Sequence, residues 1–440
     1  VLSQAREFIR TSLHPPAQMM VVAYQRSFEV LQTFTSDPNE VLAAIRSVRR
    51  YTGGRSQRDN AKREIIDRIK EIEDGRSSSA DRRIGNQWQD VEQAIENYAR
   101  EEVNDLHFAL DAMRQVIGSL AGLPGKKGIL YISNGLPMIP GQELYYELSR
   151  VSNSQAQMIE MFEFDRTRQF QQLANLANSQ DVAFYTLDAA GLDVGDMGSA
   201  EYAHAQEGMT ASISRSNLTD SLRLLADETG GIAIINTNDV GPKLELVQQD
   251  MFTYYSIGYP LQASGKDKVH KVVVKLRDDP AFKGYQLRYR TRFVEKSLET
   301  RVQDRVVSSL AFEVIENPID VDVEIGEPTT ASEGRWLVPT KVSFPIANVA
   351  LLPEGDDYVG RIVMFVAVRD DEGKRSDLVR QDHEVRVPSS DYEQAQRYRW
   401  NIGTQLLMES GRYKIAVAIL DPVTRQHSYK TIARAINPDS

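Results

Sequence analysis

The chain has 440 residues, 41% of them apolar and 26% charged, with no cysteine and a formal charge of −10 at pH 7. That length exceeds one ordinary hydrophobic core and predicts two or three domains at about 150 residues each, while the acidic balance argues against an extended nucleic-acid surface. Without cysteine there are no disulfides, thiolate nucleophiles or zinc–thiolate sites, although the compartment stays open, and no stretch approaches the ~20 continuous apolar residues of a membrane helix.

Leu2, Ala5, Phe8, Ile9 and Leu13 recur at helical spacing until His14, Pro15 and Pro16 stop the pattern. MMVVAYQRSFEVLQTFT then holds two β-rich runs around Gln25 to Ser27, and SDPNEVLAAIRSVRR predicts a helix capped by Ser36 or Asp37. Residues 53 to about 104 are rich in Arg, Asp, Glu and Gln. Ile65, Ile66, Ile69 and Ile72 fall on one helical face and Trp88, Val91, Ile95 and Tyr98 on another, with GRSSSADRR as a tip between them. This predicts an inserted antiparallel helical hairpin, either a charged arm with a narrow apolar seam or a partner-binding pair.

A further helix, FALDAMRQVIGSLAGL, runs to a stop at Pro124-Gly125. Ile129 to Ile132 then form a short apolar run that predicts a fully buried strand, and Ser133, Asn134 and Gly135 supply turn chemistry at its carboxyl end. Next come a helical region over 142–178, a strand through Val182, Phe184, Tyr185 and Leu187, a helix from Leu218 to Thr229 ended by Gly230-Gly231, and a strand at 232–235. Strands alternating with amphipathic helices predict a doubly wound, mostly parallel Rossmann-like sheet with right-handed crossovers.

After Gly241 a helix, LELVQQDMF, leads to TYYSIGYP. KVVVKLR and YQLRYRT alternate as half-exposed antiparallel strands do, which predicts a terminal hairpin over about 268–292; Tyr254, Tyr255 and Tyr259 are read as packed by that hairpin against the sheet, the alternative being an exposed recognition patch. Beyond residue 297 helices nearly vanish, and seven or so turn-separated alternating runs predict an all-β, immunoglobulin-like sandwich over 297–440, with Tyr413 after Gly411 placed to pin a strand corner.

Among residues that carry chemistry, His14, His107, His204, His270, His383 and His427 are scattered without ligand spacing. Ser212 and Ser214 lie in a stretch, 193–217, that reads as a loop able to seat a nucleophile, but no Gly-x-Ser-x-Gly elbow frames them. GLPGKKG ends a helix and opens a strand, the reverse of a phosphate loop, and is read as a turn. Asp188 stands at a strand's carboxyl end, where α/β sheets collect ligands, and is read as a loop-capping carboxylate or a partner contact.

LAGLPGKKGILYISNGLP, DVAFYTLDAAGL and LRLLADETGGIAIINTNDVGPKLELVQQDMFTYYSIGYP together resemble the von Willebrand factor type A (VWA) domains, specifically a bacterial VWFA-related family with an appended β-domain, over roughly residues 1 to 292. The resemblance implies a VWA-like domain over 1–296 and a metal-ion-dependent adhesion site built from an Asp-x-Ser-x-Ser loop, a Thr and a later Asp. In this chain Asn134 stands at the later Asp, Thr52 is the best match to the Thr, and the first strand and its Asp-x-Ser-x-Ser loop are absent from the sequence, which starts at what reads as the first helix. Neither residue brings the carboxylate that a hard divalent cation favours, and Mg²⁺ or Mn²⁺ binding would need that loop upstream. The expectation is a non-enzymatic, extracytoplasmic scaffold or subunit of a larger complex. It would bind protein partners through the rim near Asn134 and Asp188, the hairpin over 55–103 and the exposed faces of the sandwich, with no cofactor; the alternative is a metal-dependent adhesion protein completed by the upstream loop.

Overall fold

The structure is a computed structural model that describes the chain apart from residues 1, 25–27, 49–54, 76–80, 153–154, 190–208, 238, 259–266, 313, 333, 372 and 437–440. It is mixed α/β and divides into two units. Val1–Val116, Lys126–Pro260 and Lys271–Phe293 form the first; Ile117–Gly125, Leu261–His270 and Val294–Ser440 form the second.

In the first unit, helix α1 (Leu2–Ser12) precedes an antiparallel pair, β1 (Met19–Tyr24) and β2 (Phe28–Thr35). Helix α2 (Pro38–Ser47) starts where the Asp37 side chain accepts from the Asn39 amide at 2.8 Å and Pro38 presets the first helical turn. Helices α3 (Arg55–Gly75) and α4 (Asp81–Leu120) are the expected hairpin, but α4 is one continuous helix of 40 residues. At ~1.5 Å per residue it extends ~60 Å. The separate helix expected from Leu106 is its second half, because no Gly or Pro separates Tyr98 from Leu106 and Asn104 and Asp105, though cap-type residues, lie inside the helix.

The apolar seams of this hairpin are not left for a partner. Ile65, Ile69 and Ile72 meet Val91, Ile95 and Tyr98 in one core, which Leu144, Tyr145 and Leu148 of helix α5 (Gln142–Ser152) complete. The region over 142–178 holds three helices, α5, α6 (Ala156–Phe162) and α7 (Thr167–Ser179).

Strands β3 (Lys127–Ser133), β4 (Val182–Asp188) and β5 (Ala233–Ile234) form a parallel sheet in the order β3-β4-β5. Central β4 is buried at every position but Ala183, as a parallel strand covered on both faces must be. The fully buried strand expected over Ile129 to Ile132 is instead the edge of this sheet, and Ile132 is 51% exposed. An apolar run of that length does not distinguish a central strand from an edge. Helices α8 (Met209–Thr229) and α9 (Gly241–Phe252) flank β5 in sequence, and Val240, Leu244 and Val247 pack on Tyr185, Leu187 and Ile234. Helix α8 begins before the expected Leu218, so residues 209–217 are helical rather than part of a loop.

The hairpin expected over 268–292 is reduced to a short two-stranded sheet, β6 (Lys268–Lys271) with β7 (Arg292–Glu295), and one backbone bond from Val272 to Thr291. Between them the chain is irregular apart from a single turn at Pro280–Phe282. The second run is committed elsewhere: Arg288 pairs with Asp250, Arg290 with Asp181, Arg292 bonds Asn175, and the Thr291 hydroxyl donates to Glu228. Tyr254 and Tyr255 are correspondingly not packed under a hairpin, Tyr255 being 97% exposed; Tyr259 lies outside the described residues.

In the second unit, two antiparallel sheets share a core. One contains β8 (Asp322–Ile325), β9 (Thr329–Ser332), β10 (Arg335–Pro345) and β14 (Arg399–Glu409); the other contains β11 (Leu352–Glu354), β12 (Asp357–Asp370), β13 (Val379–Pro388), β15 (Gly411–Leu420) and β16 (His427–Ile436). Val338, Val342 and Phe344 face Ile362, Met364 and Val366 across that core. The alternate residues of β12, Val363, Phe365 and Ala367, are buried too, because helix α10 (Leu298–Ser309) lays Val302, Val306 and Leu310 on them. This helix, capped by the Ser297 hydroxyl accepting from the Thr300 amide at 3.0 Å, falls where the sequence pattern predicted strands only.

Candidate functional site

The carboxyl ends of β3 and β4 lie side by side, with Ser133 opposite Asp188 in register and the Ala189 amide donating to the Ser133 carbonyl at 2.9 Å. The loop that leaves β3, residues 134–141, crosses this rim and is fixed at nearly every step. The Gly135 amide donates to the Ser133 hydroxyl at 3.2 Å and the Leu136 amide to that of Ser221 at 3.2 Å. Asn217 brackets Ile139, accepting from its amide at 2.9 Å and donating to its carbonyl at 2.8 Å, and its own carbonyl accepts from the Met138 amide at 3.4 Å. Glycine is required at 135 on two counts: φ is +90°, and a Cβ there would sit 2.2 Å from the Leu218 carbonyl oxygen of α8. The Asn134 side chain makes no hydrogen bond among the described residues and is half-buried.

Asp188 is buried rather than presented. Its carboxylate lies 3.4 Å from the guanidinium of Arg215 on α8, whose Nε donates to Asn236 at 3.2 Å. Arg215 thereby ties the ends of β4 and β5 together, and because it is 52% exposed on its side chain it forms the outer surface of the rim. Asp188 thus stands at the end of β4 as the buried ion-pair partner of a helix arginine and not as an exposed carboxylate.

One residue before Arg215, Ser214 enters a second polar cluster beneath the helical hairpin. Lys62 of α3 is ion-paired with Glu143 in the first turn of α5, and both are largely buried. Ser214 accepts from Lys62 at 3.0 Å and donates to Glu143 at 3.3 Å. Beside them Glu102 of α4 accepts from the Gly141 amide at 2.9 Å and from the Tyr98 hydroxyl at 3.2 Å. Burial, and then the charge of Glu143, push the Glu102 carboxyl up to about 7; burial, followed by the charges of Glu102 and Glu143, drives the Tyr98 phenol well above its ordinary range. Two carboxyls therefore share one lysine, and the loop 134–141, α3, α4, α5 and α8 meet at these groups.

This cluster does not make Ser214 a nucleophile. An ammonium held against a carboxylate has no lone pair with which to accept the serine proton, and no histidine stands near it among the described residues. Ser212 is exposed on α8, and residues 193–208 with His204 lie outside the described residues, as does Thr52. His270 pairs with Glu295 at 3.1 Å and His427 with Glu316 at 3.3 Å, while burial lowers the His383 pKa. No group of three or more His, Asp or Glu side chains is arranged to hold a metal ion among the described residues.

Sequence reasoning singled out Asn134, Asp188 and Ser214 but missed Lys62, Glu102, Glu143, Arg215 and Asn217. A signal for two of them was present: 62, 65, 69, 72 and 91, 95, 98, 102 each continue one helical stripe, so Lys62 and Glu102 occupy apolar-face positions at the same end of the hairpin.

No family model matches this chain, and no curated protein does. Among solved structures, a chain described as "X-ray structure of Northeast Structural Genomics Consortium target SoR45" is similar at 12% identity, covering 29% of this chain and 93% of its own, with a TM-score of 0.19. A likeness at that level carries no argument about fold or function. No helix among the described residues is long and apolar enough to cross a membrane.

Proposed function

We propose that the chain is a non-enzymatic docking subunit of a larger, extracytoplasmic assembly. In this reading a VWA-like α/β unit with a helical-hairpin insertion precedes an immunoglobulin-like β-sandwich, and a protein partner seats on the carboxyl rim of the parallel sheet. The VWFA-related motifs support the family and the location. One observation carries the docking role: the rim loop is held at Gly135 by Ser133 of β3 and at Leu136, Met138, Ile139 and Gly141 by α4 and α8, so its surface is preorganised and loses little freedom on binding. Asn134, uncharged and without a hydrogen-bond partner of its own among the described residues, is the side chain this loop offers.

The test is affinity capture in mild detergent followed by mass spectrometry, comparing the native chain with Asn134→Arg at matched circular dichroism. The partner is expected with the native chain and lost with the variant. Retention of the same partner by the variant would remove the rim from the interface. The metal-dependent adhesion reading is separated by calorimetry with Mg²⁺ or Mn²⁺: no heat is expected, and a saturable heat would overturn the present reading.

A further inference from the structure

Between Lys271 and Arg288 the first unit carries an irregular, outward-facing stretch whose chemistry differs from the rest of the chain. Val273, Leu276, Phe282, Tyr285 and Leu287 are all exposed, Tyr285 to 70%. Phe282 and Tyr285 meet edge to face at 6.2 Å, so they form one aromatic knob rather than two stray rings. Among these apolar groups stand Lys271, Lys275, Arg277 and Lys283, exposed and without an ion pair to any described residue. Only Asp278 and Asp279 oppose them within the stretch, and the Asp279 carboxylate is engaged by the Ala281 amide at 2.9 Å. In a chain of formal charge −10 this is a local cationic island.

We infer that this stretch is a membrane-surface contact that seats on anionic phospholipid headgroups. Charge complementarity selects the partner: unpaired cations interleaved with protruding aliphatic and aromatic groups match a negatively charged interface, where the amines meet phosphates and the apolar tips enter the acyl boundary. An extended peptide partner is held in a groove or added to a regular strand edge. The stretch supplies neither, because residues 272–277 and 285–290 carry strand-like alternation without strand pairing. A lipid interface requires no such complement. The anchored ends fit this role: Arg288 on Asp250 of α9 and Arg290 on Asp181 before β4 fix the C-terminal end, and the Val272 amide on the Thr291 carbonyl holds the other, so the exposed part between Lys271 and Leu287 is displayed from a firm base.

The experiment is vesicle flotation of the full chain, with phosphatidylcholine vesicles compared against vesicles containing one-third phosphatidylglycerol. Binding to the anionic vesicles alone, released by high salt, is the expected result. Lys275→Gln with Arg277→Gln should weaken partitioning roughly thirtyfold, the effect of removing two cations from a charged surface. Tyr285→Ser with Leu287→Ser should weaken it with the salt dependence retained. All four side chains are exposed, so unfolding is not the expected confounder, and melting temperatures check this. Absence of binding to anionic vesicles, or binding indifferent to both double variants, would overturn the inference. Equal, variant-sensitive binding to a polyglutamate resin with none to vesicles would also overturn it, in favour of an acidic protein partner.

Discussion

Glu102→Gln is the substitution that most directly interrogates the buried cluster. Burial, and then the charge of Glu143, push the Glu102 carboxyl from an ordinary 4.5 up to about 7 in the folded chain. A carboxyl raised in this way favours the fold while protonated, and that contribution is lost as pH rises from the unfolded value through the folded one. At about 1.4 kcal/mol per pH unit, ionised Glu102 destabilises the fold by on the order of 3 kcal/mol above pH ~8. Glutamine keeps a carbonyl oxygen for the Gly141 amide, and its amide can donate to the Tyr98 oxygen, so the two hydrogen bonds survive without the charge. Urea unfolding of both proteins at about pH 5 and about pH 8.5 should give near-equal stabilities at the lower pH and a more stable variant at the higher. Equal destabilisation of the variant at both values would refute the reasoning, since the carboxylate would then be stabilised in place.

Gly135→Ala should lower stability by roughly 3 kcal/mol, because the new Cβ meets the Leu218 carbonyl oxygen at 2.2 Å on a φ of +90°; an unchanged urea midpoint would show that the rim loop is not wedged there. Ile69→Ala empties a fully buried position between α3, α4 and α5 and should cost about 2–5 kcal/mol, with limited proteolysis expected to cut the hairpin first. Phe365→Ala in β12 should cost about 3–5 kcal/mol, read from the thermal unfolding of the second unit. Ile132→Ser at the exposed sheet edge should change the midpoint by about 0.5 kcal/mol or less.

The difference between what was legible in the sequence and what was not follows from how burial is shared between neighbours. Central β4 was readable because both of its faces are covered and its run is therefore continuously apolar. β12 is apolar for the same reason, yet the element that covers its second face, α10, was missed: Val302, Val306 and Leu310 form a single narrow stripe among charged residues, and β-type runs on the C-terminal side dominated the reading. β3 shows the opposite error. Ile129 to Ile132 look like a central strand, but among the described residues the strand pairs with β4 alone, and local pattern contains no count of neighbours. The 272–291 segment failed through competition, since alternation predicts a hairpin only if no side chain finds a better partner, and Arg288 and Arg292 find one on helices α9 and α7 and Arg290 one in the turn before β4. The candidate site divides in the same way: Asn134 and Asp188 are each placed by the carboxyl end of a strand, whereas the groups that hold Asp188 and the loop after Asn134, namely Arg215, Asn217 and Glu102, come from helices distant in sequence. Lys62 and Glu102 could have been found by treating a charge on an apolar stripe as a demand for a buried partner, because such a group is retained only where another element supplies the opposite charge or a hydrogen bond. For Lys62 that element is α5 and for Glu102 it is the rim loop through the Gly141 amide, so that Glu143, directly after that loop, couples the electrostatics of the hairpin to the geometry of the surface proposed to dock.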